Sequence, residues 1–168
     1  GLNLVKKDFA CTDVFCEDLR GKPMPYSKGR SLLCANNPAA RAIILERVRA
    51  ASAEDVGGVF MDNILFGAPP LFVRDDYLPP FGCACVWCRD AYRAKTGHPY
   101  PANGFRGDQE IGAAIAVRTE AVTSLLAQSS AIARGAGKEF GVNLYDPFHH
   151  TPELYCGYRL KDIRASLD

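Results

Sequence analysis

The stretch FGCACVWCRDAYRAKTG, residues 81–97, sets Cys83, Cys85 and Cys88 in a C-x-C-x-x-C pattern. Three thiols this close cannot all pair with one another. Structural zinc takes four ligands, commonly thiolates, and short cysteine spacings let one turn present two or three of them. Cys83 and Cys85 would sit on a tight loop and Cys88 in the first turn of a helix, where helix-end N–H groups stabilise a thiolate. Cys34, His98, His149 and Cys156 are the candidates for the fourth place. Cys34 is preferred, because it follows a strand-like stretch and neighbouring parallel strands bring such loops together. Disulfides and free buried thiols are the alternatives. The chain has seven cysteines, at 11, 16, 34, 83, 85, 88 and 156; an odd number excludes complete internal pairing. A thioredoxin-like redox motif would open a helix directly after a strand, whereas this cluster follows a proline-rich loop.

A second set of residues closes apolar runs. Asp62 and Asn63 follow GVFM, and Asp146 follows GVNLY. In a parallel α/β barrel the working residues sit at the C-terminal ends of strands, so Asp62 and Asp146 are candidate site acids. Asn143 and Tyr145 share one strand face that could meet a ligand. Each has a plainer reading. Asp62 could hold the following turn, Asp146 before Pro147 could initiate one, and Asn143 and Tyr145 could be a satisfied amide and a core tyrosine. The adjacent His149 and His150 read as solvated loop residues, and Phe66, Phe72, Tyr77 and Phe81 could stack on sugars or simply pin the loop.

Alternating elements must position these residues. Residues 9–15 read as a strand, followed by a Gly- and Pro-rich loop and LLC at 32–34. Asn37-Pro38 opens a helix to about residue 53, with Asn as N-cap and Pro at the first helical position; Ile44, Leu45, Val48 and Ala51 recur at helical spacing. Residues 58–62 form an apolar run that suits a strand buried on both faces. A long loop with Pro69, Pro70, Pro79 and Pro80 leads to the cysteines. A helix over about 86–96 ends at Gly97, and a long helix capped by Asp108 runs to about 134 with Ile111, Ile115, Val122, Leu125, Ser129 and Ile132 on one face. A strand over 139–145 and a helix over 158–167 follow. The fold class expected is α/β: parallel β/α repeats in a single unit over 1–168, covered by helices. About three strands fall short of a closed (β/α)8 barrel, which needs about 200 residues or more, so the expectation is an incomplete barrel segment.

CANNPAARAIILERV, then a strand ending in an Asn-containing turn, then CACVWCRDAYRAKTG, resembles the barrel of family 42 glycoside hydrolases, the zinc-containing β-galactosidases. The resemblance covers residues 31–97 well and the rest by element order. It implies a (β/α)8 TIM-type barrel with one structural zinc held by Cys34, Cys83, Cys85 and Cys88, stapling the loop after the fourth strand. It implies glycoside hydrolase chemistry with a carbohydrate substrate. The family carries Asn-Glu at the end of its fourth strand, the Glu being the acid/base. Here Asn63 is followed by Ile64, and the nearest acid is Asp62. Glycoside hydrolysis ordinarily uses two carboxyl groups, and the family's nucleophile comes from a strand that would lie beyond residue 168. The expected roles are therefore Asp62 as catalytic acid, and Asn63, Asn143, Tyr145 and Asp146 as substrate contacts. The alternative is a non-catalytic, zinc-stapled α/β module that binds carbohydrate or protein.

Composition narrows the partners. Twenty basic and 19 acidic residues are mixed along the 168-residue chain, with net charge +1, so no basic stripe points to nucleic acid. No apolar run approaches the roughly 18 residues of a membrane span. The opening residues show no signal-peptide pattern, and together with thiolate ligands this tips the expected compartment toward the cytoplasm.

Overall fold

The computed structural model describes residues 3–5, 13–27, 30–62, 83–143 and 162–164. The N-terminal part forms an antiparallel sheet of β1 (Asn3–Val5), β2 (Pro25–Ser27) and β3 (Arg30–Leu32), in the order β1-β3-β2. Residues 13–24 run along its end. Phe15 bridges Leu33 and Glu17 bridges Pro23; Cys16 N–H donates to Leu32 O at 2.7 Å, and Cys34 N–H donates to Val14 O at 3.0 Å. The reversal between Glu17 and Pro23 sets residues 16 and 17 antiparallel to 23 and 24. Asp18 Oδ1 accepts from the N–H groups of both Arg20 and Lys22 at 2.8 Å, and Gly21 supplies a φ of 76°. So short a turn can only return the chain antiparallel. The strand expected over 9–15 is thus represented by isolated bridges at Phe15 and Glu17; residues 13 and 14 are a turn, and 9–12 lie outside the described residues.

Helix α1 (Pro38–Ala53) begins as expected. Asn37 Oδ1 accepts from Ala39 N–H at 2.8 Å and Ala40 N–H at 3.3 Å, satisfying two of the N–H groups a helix start leaves unpaired. Ala40, Ile44, Val48 and Ser52, four residues apart, form its buried stripe. Strand β4 (Gly58–Met61) follows, then α2 (Val86–Thr96), α3 (Asp108–Gly135) and β5 (Glu139–Val142). Gly97 ends α2 in the left-handed region at φ 74°, its N–H reaching Arg93 O at 2.8 Å, a conformation that favours glycine. For α3 the cap differs from expectation. Gly107 occupies the N-cap position with φ 86°, and Asp108 is the first helical residue, where its charge opposes the positive helix end.

The expected face of α3 is shifted. Val122, Leu125 and Ser129 are buried, but Ile111, Ile115 and Ile132 are only half-buried, and Ala114, Val117, Ala121 and Leu126 take the inner positions. This long helix has two supports, packing on α2 as well as on α1 and β5. Its N-terminal half joins Tyr92, Tyr100 and Phe105 in a small satellite cluster, and its C-terminal half joins the main core.

Strands β4 and β5 pair directly and in parallel, Gly58 opposite Glu139 through Met61 opposite Val142. Val59, Met61, Phe140 and Val142 turn toward the main core, where α1 packs on β4 and α3 on β5. The other face carries Phe60, which is 66% exposed. This corrects the expectation of a strand buried on both faces. Among the described residues β4 has one neighbouring strand and one helical layer, which covers only one side of the sheet. Of the helix expected over 158–167, residues 162–164 are helical and Ile163 is buried in the main core; the rest of it, and residues 144–145 of the expected last strand, lie outside the described residues.

Candidate metal centre

Two separate stretches deliver the sulfurs. Cys34 lies just past β3, anchored by its own N–H to Val14 O and by Asn37 N–H to its carbonyl at 3.1 Å. Cys83 lies in non-helical chain just before α2, Cys85 is the N-cap residue of α2, and Cys88 sits in its first turn. Ala84 N–H donates to Glu17 O at 2.8 Å, which draws the approach against the N-terminal segment.

The four sulfurs of Cys34, Cys83, Cys85 and Cys88 all lie within 4.8 Å of one another, and all four residues are buried. Cys34 Sγ is 3.5 Å from both Cys88 Sγ and Cys85 Sγ. These separations exclude disulfides, whose sulfurs stand about 2.05 Å apart, and the four cysteines are free thiols. They suit a tetrahedral ion instead. Metal–sulfur bonds of about 2.3 Å give a tetrahedron with edges of about 3.8 Å. The four cysteines could therefore hold a metal ion, and together they would fill a four-coordinate shell.

Three N–H donors reach two of the sulfurs. Cys83 Sγ accepts from Glu17 N–H at 3.3 Å and Cys85 N–H at 3.4 Å, and Cys88 Sγ accepts from Asn36 Nδ2 at 3.4 Å. Hydrogen bonding to Cys16, then Cys83 and Cys88, brings the Cys34 thiol down to about 5. Burial opposes ionisation of Cys83, but hydrogen bonds to Cys16, Cys85 and Cys88 outweigh it and bring that thiol to about 6. Cys88 moves up instead, through its hydrogen bonds to Cys34, Cys83 and Cys85 and through burial. Thiols must lose their protons to bind a cation, so protons and an ion would compete for these sulfurs.

Cys34 is thus the fourth sulfur of the group, as expected. His98 is exposed and outside it, and His149 and Cys156 lie outside the described residues. Sequence reasoning missed Cys16. It is fully buried against the cluster, its thiol donating to Leu33 O at 3.3 Å. The pairing of 14–16 with 32–34 that places it there leaves no periodic signal in so short a segment.

At the other candidate site, Asp62 and Asn143 stand just beyond β4 and β5. Asn143 Nδ2 donates to Asp62 Oδ1 at 2.8 Å, and both residues are exposed. Asn143 N–H also donates to Met61 O at 2.9 Å, extending the ladder by one step. The parallel register thus brings together two of the expected site residues. Asn63, Tyr145 and Asp146 lie outside the described residues. No protein-family model, curated protein or solved structure matches this chain.

Proposed function

We propose that the chain is a glycosidase-like α/β unit, part of a (β/α)8 barrel, that acts on or binds carbohydrate and is stapled by a structural zinc on Cys34, Cys83, Cys85 and Cys88. The observation that carries the zinc is the convergence of four buried sulfurs from two stretches at tetrahedral spacing. Zinc suits an all-thiolate tetrahedron and has no redox chemistry of its own. Four protein ligands leave no position for water or substrate, so the ion would hold the approach to α2 against the N-terminal segment rather than take part in catalysis.

For the carbohydrate reading, the support is the Asp62–Asn143 pair at the C-terminal ends of adjacent parallel strands, the end at which barrel enzymes work. A carboxylate and an amide side by side offer acceptors and donors suited to sugar hydroxyls. Asp62 would be the acid contributed by this region, with Asn63, Asn143, Tyr145 and Asp146 as sugar contacts. The second reading, a binding module without turnover, is favoured by Ile64 at the place of the family's Glu and by an amide, not a second carboxylate, on Asp62 Oδ1.

Metal analysis of the purified chain should find one zinc per chain; a metal-free preparation that folds normally and takes up no zinc would refute the tetrathiolate. Asp62→Asn assayed on a panel of aryl glycosides separates the two carbohydrate readings. Turnover lost in the variant supports the hydrolase. Sugar binding without turnover in the wild type supports the module, and neither binding nor turnover removes carbohydrate altogether.

A further inference from the structure

Cys16 is a buried nucleophile that a four-thiolate zinc site does not use. It is fully buried in the same core cluster as Cys34 and Cys83, its thiol donating to Leu33 O at 3.3 Å. The backbone keeps it beside Cys83 in particular. Glu17 N–H donates to Cys83 Sγ at 3.3 Å, and Ala84 N–H donates to Glu17 O at 2.8 Å, so one residue on each side of the Cys16–Cys83 pair is already tied to the other chain segment. The two possible partners differ in their anchors. Cys34 is tied to Val14 and to the cap of α1, whereas the Cys83 sulfur meets the amide of the residue that follows Cys16.

We propose that Cys16 is a resolving thiol, which makes the metal centre releasable by oxidation through a Cys16–Cys83 disulfide. The oxidant is a hydroperoxide, with hydrogen peroxide the simplest case. The Cys83 sulfur attacks one peroxide oxygen. The O–O bond breaks, that oxygen stays on Cys83 as a sulfenic acid, and the other leaves as water after taking up a proton. The Cys16 sulfur then attacks the Cys83 sulfur; the S–O bond breaks, and the hydroxyl leaves as a second water with the Cys16 proton. Two sulfurs give up two electrons and one peroxide takes them. The ion is left with three thiolates and an open position, and its hold weakens. A dithiol reductant reverses the step by exchange.

This inference rests on the zinc reading, and the experiment separates the two. Zinc content is measured first; a chain that binds none sinks the metal reading and the release mechanism with it. The zinc-loaded chain is then treated with hydrogen peroxide, metal release is followed with a chromogenic indicator, and disulfides are mapped by mass spectrometry after alkylation. The expected result is a first cross-link between Cys16 and Cys83 that forms with metal release, both reversed by a dithiol. Cys16→Ser and Cys16→Ala should still bind one zinc, yet release it several-fold more slowly and accumulate sulfinic acid on Cys83. The proposal is overturned, with the zinc reading intact, by a first cross-link confined to the four ligands or joining Cys16 to Cys34. It is also overturned by release from both variants at the wild-type rate.

Discussion

Removing the proposed ion should lower the melting temperature substantially without unfolding the chain at room temperature. The magnitude follows from where the sulfurs sit. Cys34 and Cys85 are 51 positions apart, so an ion held by both closes a loop of that size. The chain-entropy relation for a cross-link gives about 4 kcal/mol for closing about 50 residues, and metal clips obey the same logic. A domain of 150–250 residues loses about 2–4 °C per kcal/mol, which places the fall at about 8–16 °C. Two features keep the loss from being complete. Buried cysteines pack as small hydrophobes when protonated, and α1, α3, β4 and β5 pack on one another directly. A small zinc finger, by contrast, has no other core and unfolds outright. The assay is thermal denaturation followed by circular dichroism, with and without prior chelation, at matched ionic strength and with a thiol reductant present. A chelated chain, shown by metal analysis to be empty, that melts within 2 °C or so of the loaded one would refute the reasoning. The ion would then not be linking the two stretches.

Three further perturbations test the frame around the site. Asn37→Ala removes the cap of α1 and a 2.7 Å hydrogen bond from Asn37 Nδ2 to Asp13 O, and should cost about 2 kcal/mol by denaturant unfolding, about half from each. Asn37→Asp keeps the cap acceptor and should lose only about half as much; equal losses would show that the cap contributes nothing. Gly58→Ala would bring a Cβ to 3.0 Å from Glu139 O, a backbone atom of the partner strand, and should destabilise by about 1–3 kcal/mol. Gly141→Ala meets only the exposed Phe60 ring, which can swing away, so its cost should be smaller; the reverse order would disprove the parallel register. Burial holds the phenols of Tyr92 and Tyr100 above their usual 10.0. A group raised in the fold stabilises it below the unfolded value and loses that contribution as pH climbs past it. Alkaline titration of the tyrosinate band should therefore show late-ionising tyrosines whose ionisation coincides with unfolding, and the variant Tyr100→Phe should unfold at higher pH.

What could be read from the sequence was what short stretches determine by themselves. Asn37-Pro38 start a helix because capping and a fixed φ act within a few residues. Gly97 ends one for the same reason, and C-x-C-x-x-C announces clustered thiols through spacing alone. The candidate metal set needed one long-range inference, that Cys34 closes a strand-like stretch, and LLC at 32–34 was enough to suggest it. The antiparallel ladder was not legible. Phe15 and Glu17 pair through single bridges, too short for a two-residue alternation to emerge. Reading GVFM as buried on both faces failed because an apolar run does not say how many layers will cover it, and Phe60 is exposed.

That unread ladder is also what positions the candidate metal centre. Cys34 is held by Val14, and Cys83 is held by the Glu17 amide and carried against Glu17 by Ala84. One antiparallel turn, organised by Asp18, therefore fixes both halves of the ligand set at once. Cys16 lies between those anchors, buried beside the four sulfurs and outside their group. An ion bound there would lock the turn, β3, the cap of α1 and the start of α2 into one body. The candidate sugar site depends on different bonds, because Asp62 and Asn143 are placed by the β4–β5 register. Loss of the ion and loss of register are thus separable, and chelation should lower stability more than it disturbs any ligand that Asp62 and Asn143 hold.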